Sequence, residues 1–282
     1  TTRTVTVDSA PQITITAPAN ASIFAPGAPI TFAATATDPE QGNISAQVAW
    51  TSSLDGTLLS GSSITVGTLR SGTHLITATI TDASGRGAVA QIAVVVNAAP
   101  TISLDTPADG ALFAPGDVVH FTGQASDVED GNLSASIFWI SDRDGLLGHG
   151  TPLDVATLHS GTHTIRASVT DHGGKTANVD RTIVVNAPPS VHVTGPANGT
   201  LLIPGVPATF TATATDTEDG NLGAAVSWTS SIDGALGTGT PFSTRALHSG
   251  THQITAAVSD AGGRTASDTV TATETTELVT LP

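Results

Sequence analysis

The run Thr37-Asp38-Pro39-Glu40-Gln41-Gly42-Asn43 returns as Ser126-Asp127-Val128-Glu129-Asp130-Gly131-Asn132 and again as Thr215-Asp216-Thr217-Glu218-Asp219-Gly220-Asn221. The interval is 89 residues each time, and the rest of the chain keeps it. Trp50, Trp139 and Trp228 share one register position, Phe32, Phe121 and Phe210 a second, His74, His163 and His252 a third, and Asp82, Asp171 and Asp260 a fourth. Pro11, Pro100 and Pro189 open the copies. Self-similarity at a fixed period marks one structural unit per copy. Three copies without an insertion predict three domains, over 11–98, 99–187 and 188–275, between an orphan strand at 1–10 and a tail at 276–282.

Working outward from the first acidic run, Ile30-Thr31-Phe32-Ala33-Ala34-Thr35-Ala36-Thr37 alternates apolar with polar, the period of a half-buried strand. Ile13 to Thr16, Val48 to Trp50, Ile64 to Val66, His74 to Thr81 and Val89 to Val96 continue the pattern. Gly- and Asp-rich stretches separate them. About seven short strands in roughly ninety residues, with a Trp on the third, is the pattern of an immunoglobulin-like sandwich. The composition agrees: 29 Gly, 16 Pro and only 12% charged residues suit strands and tight turns better than amphipathic helices. The fold class is therefore all-β, three tandem immunoglobulin-like β-sandwich domains in an elongated rod.

The acidic runs, with Trp50-Thr51-Ser52-Ser53-Leu54-Asp55-Gly56 and Ser71-Gly72-Thr73-His74-Leu75-Ile76-Thr77-Ala78-Thr79-Ile80-Thr81-Asp82, resemble bacterial PKD-type and cadherin-like immunoglobulin modules. The resemblance spans about residues 11–275. It implies the fold; such modules serve as spacers, adhesins and appendages of enzymes, so it leaves function open.

Each repeated residue has a structural reading. Trp50, Trp139 and Trp228 are expected to fill the space between sheets. His74, His163 and His252 stand where related modules often place a Tyr that bonds back to the preceding corner, a donor role imidazole can fill. His159 and His248 sit four residues before two of these histidines, but on an extended chain that spacing is about 13 Å, so two ligands on one metal would need a tight turn, and the first copy has Arg70 in place of the first His, which speaks against a shared metal site.

The acidic turns are the functional candidates. Asp38 and Glu40, Asp127, Glu129 and Asp130, and Asp216, Glu218 and Asp219 supply hard oxygens, which suit calcium. In an immunoglobulin topology these turns share one end of the domain with Asp82, Asp171 or Asp260 and with the incoming linker residue Asp8, Asn97 or Asn186. That grouping resembles the interdomain calcium site of cadherins, although the acidic motif cadherins supply from the preceding domain is missing, and Asp55, Asp144 and Asp233 are the nearest substitutes. The competing reading is that Asp, Asn and Gly simply build β-turns.

Arg3-Thr4-Val5-Thr6-Val7 aligns with the last strand of a copy, while residues 268–274, around Val270 and Ala272, are less apolar than their counterparts. Two expectations follow: a chain cut from a longer repeat protein, or residues 3–7 donated as a strand to the third domain of the next subunit in a head-to-tail fibre. The absence of Met fits a processed chain or a segment.

A net charge of −15 with Lys175 as the single lysine repels nucleic acid and anionic lipid, and no apolar run is long enough for a membrane span. Without Cys there is no disulfide framework and no thiolate metal site. No nucleophile elbow, phosphate loop or zinc-protease helix occurs in the sequence. The expectation is a non-catalytic extracellular or cell-surface protein, a stalk or self-assembling fibre subunit with further repeats of its own kind as partners. The alternatives are an adhesin segment that binds a glycan or cell-surface ligand, for which His149 is the divergent loop residue, and a spacer in a larger secreted enzyme.

Overall fold

The computed structural model describes residues 7–276. The first copy contains nine strands: β1 (Gln12–Ala17), β2 (Ser22–Phe24), β3 (Ile30–Asp38), β4 (Gly42–Asn43), β5 (Ala49–Ser52), β6 (Gly56–Ser60), β7 (Ser63–Val66), β8 (Gly72–Thr81) and β9 (Gly87–Val96). The same set recurs over 101–185 and 190–274, and no α-helix occurs among the described residues. A single turn of 3-10 helix, Ser45–Gln47 in the first copy, precedes each tryptophan strand.

Alternation in sequence becomes alternation in burial. Along β3 the alternate residues Ile30, Phe32, Ala34 and Ala36 are buried, while Thr31, Thr35 and Thr37 are exposed. One sheet pairs β1, β3 and β7 antiparallel, with β4 folded back on the end of β3. The other has the order β2-β9-β8-β5-β6, in which only the β2–β9 pair is parallel. The chain thus crosses from one sheet to the other between β1 and β2, as in an immunoglobulin-like sandwich.

Between the sheets, Trp50 lies against Phe32 with ring centroids 5.8 Å apart, and the later copies repeat the pair at 5.2 and 5.5 Å. Each indole N–H donates to a main-chain carbonyl, of Gly61, Gly150 or Gly239, at 2.7–2.9 Å. Burying an indole without that acceptor would leave a costly orphan donor.

The third copy's final strand, less apolar than its counterparts, is nevertheless fully paired. Residues Thr265–Glu274 pair with Gly250–Ser259 through ten consecutive positions and hold Thr200–Leu202 on the other side. Ala272 is fully buried and Val270 packs on the core. The strand is polar on its outer face and still complete, because backbone pairing needs no apolar outer side chains. The position in register with residues 3–7 is thus filled in the third copy by its own strand. The donor candidates Arg3, Thr4, Val5 and Thr6 lie outside the described residues, and Val7 is exposed outside any strand.

Candidate functional site

The acidic turns, the turns between the last two strands of each copy, and the incoming linkers meet at one end of every sandwich. In the second copy the Oδ1 atom of Asp127 accepts the backbone N–H groups of Glu129 at 2.8 Å and Asp130 at 3.0 Å. Gly131 follows with φ +72°, a conformation that favours glycine, and closes the turn. Asp171 uses its Oδ1 in the same manner, accepting the Lys175 N–H at 2.7 Å. Asx-type bonding of this kind is the turn-forming role expected of these residues.

The second oxygen of Asp171 and one oxygen of Glu129 face the linker. Asp171 Oδ2 accepts from the Asn97 amide at 3.1 Å, and Glu129 Oε2 accepts the Ala98 N–H at 3.0 Å. The Lys175 ammonium donates to the Asn97 carbonyl, while Asp130 accepts the His172 N–H at 2.7 Å and ties the two turns together. The third copy repeats the arrangement: Asn186 to Asp260 at 3.0 Å, Ala187 N–H to Glu218 at 3.1 Å and Ala261 N–H to Asp219 at 2.6 Å.

The first copy solves the same problem with other residues. Asp8 cannot donate as an amide does; its carboxylate instead takes the Arg86 guanidinium at 2.9 Å and the Ser84 hydroxyl. Ser84 occupies the register position of Gly173 and Gly262. A Cβ on Gly173 would stand 2.2 Å from the Asn97 amide nitrogen, and one on Gly262 2.3 Å from that of Asn186. Sequence reading missed this exchange of Asp with Ser for Asn with Gly, which was visible in the 89-residue register as paired differences.

Asp127 and Glu129 also face each other. Burial is the largest influence on Glu129 and raises its pKa above the ordinary glutamate value, with the Asp127 carboxyl adding to the rise against the Ala98 N–H. Glu218 is raised in the same way by burial and by Asp216, against the Ala187 N–H. Among the described residues, no three or more His, Cys, Asp or Glu side chains are gathered as a metal centre.

Asp55, Asp144 and Asp233 do not reach the next domain. Each serves its own copy, taking the backbone N–H and side chain of Arg70, His159 or His248. The histidine pairs do lie on a tight turn rather than an extended chain. Gly161, at φ +134°, turns the chain, so that His159 and His163 meet the same Asp144 carboxylate at 2.7 and 3.6 Å. His163 Nε2 donates to the His159 carbonyl at 2.7 Å, and His74 and His252 do the same to the Arg70 and His248 carbonyls.

The Nδ1 atom of His163 lies 2.9 Å from Ser141 Oγ, which gives a Ser, His and Asp grouping repeated in every copy. Ser141 is 1% exposed and His163 fully buried, and Ser141 Oγ already accepts the Arg143 and Asp144 N–H groups. No substrate reaches such a hydroxyl. The grouping closes the corner of the sandwich.

No protein-family profile and no curated protein sequence matches the chain. Solved structures do. The chain is similar to the three-immunoglobulin titin fragment I67-I69, at 15% identity and a TM-score of 0.53, covering 96% of this chain and all of that one. An E-to-A variant of the same titin fragment gives 14% identity and a TM-score of 0.56 over the same shares. A chain from the complex of Dpr2 Ig1-Ig2 with DIP-Theta Ig1-Ig3 gives 10% identity and 0.51, covering 94% of this chain and all of that one. These likenesses show the fold: tandem immunoglobulin-like domains.

Proposed function

We propose that the chain is a non-catalytic structural segment of an extracellular protein, a stalk of PKD- or cadherin-like immunoglobulin modules that holds what lies beyond it at a set distance. The observation that carries this reading is the fastening of the linkers. Asn97 is bound through both its side chain and its carbonyl, Ala98 through its N–H, and prolines follow at Pro100 and Pro189. Proline and its predecessor are confined to extended conformations. A linker bonded on side chain and main chain to the domain it enters transmits orientation, which a spacer needs and a flexible tether lacks.

The test is small-angle scattering of the full chain against a variant with Glu129→Ala, Glu218→Ala and Lys175→Ala. The reading expects a long maximum dimension with a narrow distribution, shortened and broadened in the variant. A wild-type distribution as broad as that of the variant would overturn it.

A second reading, adhesion, is favoured by one observation. On the solvent face of the middle copy Phe138 pairs with His149 and Ile140 with Leu146, where the first copy has Ala49 with Ser60 and Thr51 with Thr57. Phe138 and Leu146 are 49% and 66% exposed. Binding to glycan arrays or cells that is lost on Phe138→Ser with Ile140→Thr would favour this role. A fibre joined by strand donation would use an edge of the third copy's sheet, since the positions in register with residues 3–7 are filled by the copy's own strand, Thr265–Glu274.

A further inference from the structure

The middle copy departs from its two neighbours on one face. In the 89-residue register Phe138 stands where the other copies have Ala49 and Ser227, Ile140 where they have Thr51 and Thr229, and His149 where they have Ser60 and Thr238. Arg166 replaces Thr77 and Thr255, and Asp180 replaces Gln91 and Thr269. Strand pairing gathers these remote residues: Phe138 lies opposite His149, Ile140 between Leu146 and Arg166, and Arg166 opposite Asp180. All point outward, because Trp139, Ile165 and Ala167, which alternate with them, fill the core. The first and third copies carry only small or uncharged polar side chains there, so the sandwich itself does not require the change.

The face has an apolar part and a polar part. Phe138 and Leu146 are 49% and 66% exposed, and the Phe138 and His149 rings meet at 6.1 Å between centroids and 57° between planes. On the neighbouring strands Arg166 Nε and Nη2 each donate to Asp180 at 2.7 Å. That bidentate pair cancels its own charge and holds a planar polar group in place, with guanidinium N–H groups and carboxylate lone pairs left for a ligand. An exposed apolar patch rimmed by polar side chains marks an interaction site.

Charge and area select the occupant. Stable protein interfaces take roughly 20–30 residues a side, far more than this patch offers. Two copies of a chain with net charge −15 also repel each other, as an acidic partner would be repelled. A face neutral in itself gives a cationic partner no anchor. What fits is an uncharged molecule with one apolar surface and many hydroxyls.

We propose that this face binds a neutral glycan, one pyranose ring packing its C–H surface on Phe138 and His149 while its hydroxyls bond to Arg166 and Asp180. The contact with the rings draws on dispersion and on the ring quadrupole. Fixed polar groups beside them discriminate among sugars, since a ligand lacking the matching hydroxyls leaves them unpaired. The proposal rests on the adhesion reading and supplies its ligand class.

The experiment applies the full chain to an array of neutral and acidic oligosaccharides, followed by calorimetric titration with the neutral one bound best. Binding to cells is measured in parallel, before and after periodate oxidation of their glycans. The expected result is one equivalent of a neutral oligosaccharide and cell binding abolished by periodate. Phe138→Ser and Arg166→Thr install residues that other copies carry at those positions, and each should weaken binding by about tenfold with the circular dichroism spectrum unchanged. A preference for acidic glycans, or affinity unchanged in the double variant, would overturn the proposal. Cell binding that survives periodate with no array signal would overturn it while leaving adhesion standing, and binding to neither would remove both.

Discussion

The Asn97 side chain donates to Asp171 Oδ2 at 3.1 Å across 74 positions of sequence, and Asn186 repeats the bond to Asp260 at 3.0 Å. Both asparagines lie against a glycine that leaves room for nothing larger. A linker residue is thereby bonded into the core-facing turn of the domain that follows it.

Gly173→Ala should consequently break the second joint while leaving the sandwiches folded. Its Cβ falls within 2.2 Å of the Asn97 amide, and overpacking of this kind costs about 1–3 kcal/mol. Gly173→Ser combined with Asn97→Asp copies the first joint, where Ser84 meets Asp8, and should recover much of that loss because Lys175 stands in the Arg86 position. Urea unfolding of the single and double variants checks both; a double variant weaker than the single one would refute the exchange.

Removing a corner histidine should be more damaging. His163→Phe leaves the His159 carbonyl and the Ser141 hydroxyl without their buried partner, for a loss of about 2–4 kcal/mol. Denaturant melts that change by less than about 1 kcal/mol would show that the corner is held by the strands alone.

Trp228→Ala should cost about 3–5 kcal/mol by opening a cavity beside Phe210 and freeing the Gly239 carbonyl. Near-ultraviolet circular dichroism with urea unfolding reads both the lost packing and the lost stability, and the third domain alone should be affected.

Acid should act through the Asp-Gly turns that hold Asp144 and Asp233. Burial by itself raises Asp144, but the His159 side-chain and backbone donors and the His163 and His159 charges outweigh it and hold the carboxyl below its ordinary value of 3.8; Asp233 behaves alike with His248 and His252. A depressed carboxyl stabilises the fold above the unfolded-state pKa and stops doing so as pH falls through the lower folded value. The urea midpoint is thus expected to drop below pH 3.8, and Asp144→Asn with Asp233→Asn should flatten that limb. An unchanged slope would refute the assignment.

Much of this protein was written in its sequence. The 89-residue register gave three copies, two-residue alternation gave the strands, and an apolar Trp among Thr and Ser gave the sandwich interior, because these depend on local periodicity and on apolar burial. Only the tertiary structure decided which donors the carboxylates find. The His159 turn, the pairing of Thr265–Glu274 despite its polar face, the retention of Asp144 within its own copy and the facing oxygens of Asp127 and Glu129 all join residues remote in sequence or turned against the strand direction. Backbone hydrogen bonding and carboxylate orientation leave no periodic trace in composition, so the acidic turns could be located in the chain while their bonding could not.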